Sequence, residues 1–126
     1  MHSKLEPGQR DNVVRAVFHI LNEWHTSPEQ QAVLLGLPQD TRIRALNRYR
    51  AGQAFPEEVD FLERAELLFS IVSAVNSIHP HNPHAANLWI STGNMFLGDR
   101  SPLDIMLARG LSGMQSVLDH LNGETY

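Results

Sequence analysis

Apolar residues recur along this chain at helical spacing, in short blocks separated by proline, glycine and polar residues. Val13, Val14, Val17, Phe18, Ile20, Leu21 and Trp24 fall on one side of a helix, with Arg15, His19, Asn22 and Glu23 opposite. Asp11 or Asn12 is placed to cap it. Ahead of it, residues 1–10 are polar, carry a Pro-Gly step and read as a flexible arm. Ser27-Pro28-Glu29-Gln30 combines a serine cap, a proline at the first helical position and an acid in the first turn. The short helix it opens uses Ala32, Val33, Leu34 and Leu35 and stops at Gly36. After Leu37-Pro38-Gln39, a cap at Asp40 or Thr41 predicts a third helix from Arg42 to about Arg50, ended by Ala51-Gly52.

Pro56-Glu57-Glu58 predicts the start of the longest helix, reaching about Ser77. Val59, Leu62, Ala65, Phe69, Val72 and Val75 share one side, and Leu67, Ile71, Ala74 and Ile78 form a second apolar strip. A helix apolar over most of its circumference needs cover on two sides, which predicts a central helix or a self-association surface. His79 to His84 breaks the pattern. Asn82 then caps a helix carrying Ala85, Ala86, Leu88 and Trp89. Met95-Phe96-Leu97 is short and closed by Gly98. Ser101-Pro102-Leu103-Asp104 is a capping-box start, and that helix stops at Gly110. Ser112 is placed to cap the last helix, which uses Met114, Val117, Leu118 and Leu121 and stops at Gly123. No strand pattern and no repeat occurs, so the fold class is all-α.

Helices two and three have the features of a helix-turn-helix, spanning residues 11–55 with the first helix. Ala32 and Gly36 are small residues four apart where two helices would cross, and Ile43 and Leu46 would hold the third helix to the core. Arg44, Asn47 and Arg48 lie within an arc of about 100° on its other side, with Thr41 near the edge. Arginine and asparagine suit bidentate contact with guanine and adenine edges. Arg42 and Arg50 are placed to reach phosphates. The Pro38-Gln39-Asp40 turn reads as about one residue longer than the commonest spacing. The plain alternative is a helical hairpin with a solvated basic face.

Charge sharpens this division. The net charge is −4, yet residues 1–55 carry seven Lys/Arg against five Asp/Glu, and residues 56–126 carry three against nine. Different partners for the two halves are expected. The absence of cysteine excludes disulfides, thiolate metal sites and a thiol nucleophile. The opening residues lack an apolar leader segment and no apolar run is long enough for a membrane span, so a cytoplasmic protein is expected.

Trp89 in an apolar helix, then Asn94, Leu97-Gly98, Pro102-Leu103-Asp104, Gly110 and a helix closing at Gly123 form an ordered series. Singly these are core residues and caps. Together, over roughly residues 84–124, they resemble the toxin-binding domain of the Xre/MbcA/ParS antitoxin family. Gly93 stands where that family has a proline, and His120-Leu121-Asn122-Gly123 departs from its arginine-bearing end. The resemblance implies a toxin-binding domain at 83–126, joined by a connecting helix and loop at 56–82 to a helix-turn-helix. It implies a partner toxin with a RES domain that attacks NAD. It also implies neutralisation by covering the toxin's active site, here with Asn122, Gly123, Glu124, Thr125 and Tyr126, and repression of the chain's own operon. A homodimer and a hetero-oligomer with the toxin are expected, and paired subunits suit palindromic operators.

Catalysis has no support in the residues. There is no phosphate-binding glycine loop, nucleophile elbow or His-Glu-x-x-His. His79, His81 and His84 lack a nearby carboxylate to complete a metal site and read as a solvated loop. We expect no enzyme activity, metal or cofactor. Two other readings stay open: a stand-alone transcription regulator, and a protein-interaction module that does not bind DNA.

Overall fold

A computed structural model describes residues 7–92 and 98–123. Among these residues there are seven α-helices and no strand. They are α1 (Pro7–Glu23), α2 (Pro28–Leu34), α3 (Ile43–Arg50), α4 (Phe61–Ile78), α5 (Pro83–Ser91), α6 (Pro102–Arg109) and α7 (Leu111–Leu121). No helix of the described residues is long and apolar enough to cross a membrane. The chain divides into two compact units, Met1–Ala65 and Glu66–Tyr126, and the boundary falls within α4.

The first unit is built on α1. Val14, Val17, Phe18, Leu21 and Trp24 are buried, as their spacing predicts. The helix begins at Pro7 and not at the expected cap near Asp11, so residues 7–10 leave the expected arm and join α1. Proline's fixed φ suits a first helical turn, and it has no N–H to leave unsatisfied there. At the other end, His25 takes φ +56°, its N–H donates to the Asn22 carbonyl, and the Thr26 N–H donates to the Leu21 carbonyl at 3.2 Å. This is a Schellman cap with a histidine where glycine is usual.

The Ser27 capping box forms as predicted: the Gln30 N–H donates to Ser27 Oγ at 3.1 Å, and the Ser27 N–H donates to Gln30 Oε1 at 2.9 Å. Gly36, at φ +73°, closes α2 with a second Schellman pair. The Leu37 N–H donates to the Ala32 carbonyl at 2.9 Å, and the Leu37 side chain is buried. Gly52, at φ +116°, closes α3 in the same way.

The fourth helix begins later than expected. Pro56 to Asp60 form a turn in which the Val59 N–H donates to the Pro56 carbonyl at 3.0 Å, and α4 starts at Phe61. A ladder of rings accompanies this. Tyr49 stacks on Phe55 with centroids 4.8 Å apart, and Phe55 stacks on Phe61 at 4.3 Å. The buried line of α4 is Phe61, Ala65, Leu68, Ile71 and Val75. It draws on both predicted strips and on Phe61 and Leu68, which belonged to neither. Leu62, Phe69 and Val72 are half-buried on its flank, and Ile78 is exposed.

In the second unit, Asn82 Oδ1 accepts from the Ala85 N–H at 3.1 Å and caps α5 as predicted. Ala86 and Ile90 are the fully buried side chains of α5, and Trp89 is buried over most of its surface with one edge accessible. Ser101 Oγ accepts from the Asp104 N–H at 3.0 Å, completing the second predicted capping box. Pro102, Leu103, Ile105 and Met106 are buried beneath it. Gly110, at φ +60°, separates α6 from α7. Ser112 is not the cap of α7: Gly110 holds that position, and Ser112 Oγ donates back to the Arg109 carbonyl at 3.0 Å. Gly113 lies against the Ile105 carbonyl, so that α6 and α7 pack with backbone close to backbone, and Met114 and Val117 are fully buried.

Candidate nucleic-acid interface

Helix α3 is held at one edge by Leu46, 2% exposed and its one buried side chain. The stack of Tyr49 on Phe55 adds a second apolar hold, and polar contacts supply the rest. Arg50 Nη2 donates to Gln31 Oε1 at 3.1 Å, and Arg50 Nη1 donates to Asn47 Oδ1 at 2.7 Å. The same guanidinium lies 4.8 Å from the centroid of the buried Phe18 ring. Gln31 is itself buried and fixed, because its Nε2 donates to the Thr26 carbonyl at 3.3 Å and to Asn22 Oδ1 at 3.4 Å. Arg50 thus ties α3 to α1 and α2. Arg50, expected to reach a phosphate, is engaged in this brace.

The other predicted residues sit as follows. Arg42, Arg44 and Arg48 are exposed, and their guanidinium groups form no hydrogen bond or ion pair with another described residue. Arg44 and Arg48 project on the side of α3 opposite Leu46. Asn47 is exposed, but Arg50 engages its Oδ1 and sets the amide plane. A bidentate adenine contact needs that oxygen as an acceptor, and Asn47 offers its Nδ2 donor together with the second lone pair of Oδ1. Thr41 is half-buried before the helix. Neither Asp40 nor Thr41 caps it: Arg42 occupies the cap position with no side-chain hydrogen bond.

Two further expectations need correction. Residues 35–42 separate α2 from α3, whereas the usual motif has a turn of about three or four residues. The connection is therefore longer than the one extra residue expected. Ile43, assigned to the core, is 55% exposed. It borders an open recess of about 580 Å³ that also involves Pro28, Glu29, Thr41, Arg42 and Arg44. One signal in the sequence bears on this: Ile43 is flanked on both sides by arginine, Arg42 and Arg44.

In the C-terminal half, Gly98 takes φ +70° and the adjacent Asp99 takes φ +63°, so the chain makes a left-handed step there. Pro102, Leu103, Asp104 and Gly110 hold the capping and packing places described above. Of the residues expected to meet a toxin, Asn122 and Gly123 are exposed at the end of α7, with Gly123 at φ +78°. Glu124, Thr125 and Tyr126 lie outside the described residues, as do Asn94 and Leu97 of the motif. His79, His81 and His84 are not assembled: among the described residues no group of three His, Asp or Glu side chains is placed to hold a metal.

No protein-family model matches the chain, and no curated protein matches it.

Proposed function

We propose that this chain is an antitoxin that binds operator DNA through α3 and neutralises a partner toxin through its C-terminal end. The observation that carries the DNA half is the separation of roles among the arginines. Arg50 braces α3, and that leaves Arg42, Arg44 and Arg48 exposed as a set of uncommitted cations. Such cations suit a polyanionic backbone and guanine edges. The toxin half is supported by the ordered Trp89 to Gly123 series and its resemblance to the Xre/MbcA/ParS family, which makes a RES-domain toxin attacking NAD the partner. The protein acts in the cytoplasm, by steric cover of the toxin and without chemistry of its own.

Self-association is assigned to the flank of α4. There Phe69, Val72, Ser73, Asn76, Ser77 and Pro80 line an open recess of about 610 Å³. A pair of chains would present two α3 helices to a palindromic site.

The test is co-expression of this chain with the product of the neighbouring coding sequence, with growth as readout, beside gel-shift titration on the upstream DNA. The expected result is rescued growth and salt-dependent binding. DNA binding without rescue would identify a stand-alone regulator, and rescue without DNA binding an interaction module. Removal of residues 124–126 is expected to weaken rescue, and full protection by the shortened chain would locate toxin contact elsewhere.

A further inference from the structure

Ile43 is the most exposed of the large apolar side chains among the described residues of the first unit, and its setting is unusual. Arg42 precedes it, Arg44 follows it, and all three border the open recess together with Pro28 and Glu29 of α2. An exposed isoleucine between two uncommitted arginines gains nothing in water. The arginines select a polyanion as the occupant of this face. Glu29 then decides which part of the polyanion enters the recess, because its carboxylate repels a phosphate there. What remains is a base edge with an apolar group. Duplex DNA displays one such group in the major groove, the 5-methyl of thymine.

We infer that Ile43 is a specificity-determining residue that packs on a thymine methyl while Arg42 and Arg44 engage the flanking backbone and base edges. The inference rests on the DNA-binding reading above and deepens it by naming the feature read. Ile43 lies one helical turn before Asn47, on the same strip of α3, so the Nδ2 donor of Asn47 faces the neighbouring base pair.

The experiment uses the full chain and the duplex that it enriches from a random-sequence library. That duplex is synthesised with deoxyuridine replacing thymine at one position at a time, which deletes only the methyl. At one position per half-site, the substitution is expected to weaken binding by about fourfold, the worth of one buried methyl group. Ile43→Ala is expected to lose a similar factor on the thymine duplex and then to be indifferent to deoxyuridine at that position. Its thermal unfolding should match the parent, because the side chain is exposed. Binding that depends on Arg44 and Arg48 but ignores deoxyuridine everywhere would overturn the inference and leave the DNA reading standing. A methyl penalty that persists in Ile43→Ala would also overturn it, since another residue would then make the contact. Failure to enrich or shift any duplex would overturn the DNA reading itself, and this inference with it.

Discussion

Arg64 Nη1 donates to the Leu34 carbonyl at 3.0 Å, thirty residues back along the chain, and so caps the C-terminal end of α2 from α4. The guanidinium also pairs with Asp60 at 2.8 Å and lies where a Cβ on Gly36 would stand, 2.5 Å from Arg64 Nε. Gly36 therefore serves two ends. It adopts φ +73°, and it leaves room for a cation at the negative pole of the helix dipole.

Gly36→Ala is expected to destabilise the protein by about 2 kcal/mol: the left-handed conformation costs about 1 kcal/mol or more, and displacement of Arg64 removes a charge-assisted bond. In an Arg64→Ala background the same substitution should cost only the conformational part. Urea unfolding of the four proteins measures the coupling. Equal costs in both backgrounds would show that Arg64 moves aside without loss.

His25 offers the opposite sign. It is an exposed histidine at φ +56°, in the cap position that glycine fills at Gly36 and Gly52. His25→Gly relieves the strain and loses no packing, and the greater freedom of glycine in the unfolded chain offsets part of the gain. We expect stabilisation of about 0.5 kcal/mol, read as a higher Tm. His25→Val should lower the Tm, because a β-branched side chain fits this region worst. A lower Tm for His25→Gly would mean that the imidazole makes a contribution the cap geometry does not reveal.

Gly113→Ala tests the second unit. In an uncrowded helix this change stabilises by about 1 kcal/mol, from helix propensity. Here the new methyl meets the Ile105 carbonyl, which is backbone and cannot turn away, and Arg109 Cβ at 3.0 Å. Helix α7 must lift from α6, over the buried Met106 and Met114. We expect a net loss of about 1–3 kcal/mol by denaturant unfolding. A gain in stability would show that the α6–α7 contact is looser than its geometry.

The contrast between these residues explains how much was legible beforehand. Both capping boxes and the backbone bonds that stop α2 at Gly36 are local: their partners lie within a few residues, and Ser-Pro with Gln or Asp three residues after the cap says so directly. Helical periodicity likewise placed the buried face of α1. It failed where the decisive partner is remote. Pro56-Glu57-Glu58 carries every local mark of a helix start, yet the stacked Phe55 and Phe61 accompany a turn that delays α4 to Phe61. Arg50 reads as one basic residue among four until Gln31, nineteen residues away, is seen to accept from it. Periodicity also assigns a face without saying how much chain lies over it. That is why Ile43 is more exposed than expected, and why Phe61 and Leu68 are buried without having been singled out.

The candidate interface can be divided by salt dependence. Arg44 and Arg48 are exposed and uncommitted, so replacing both by alanine should leave the unfolding transition unchanged. The slope of log K against log salt should fall by about 1 for each of the two that meets a phosphate, and an arginine on a guanine edge should instead relax specificity at that base pair. Arg50→Ala should behave differently. It removes the bonds to Gln31 and Asn47 and the contact with Phe18, leaving the buried Gln31 with one acceptor unmet. We expect a stability loss of about 1–2 kcal/mol. DNA affinity should fall because α3 is less well held, while the salt slope stays near the parent value. Arg50→Lys should not restore the brace, since a single ammonium lacks the planar fork that meets two acceptors and a ring at once. A salt slope reduced by Arg50→Ala but not by the Arg44/Arg48 pair would exchange the two roles and move the DNA contact to the other edge of α3.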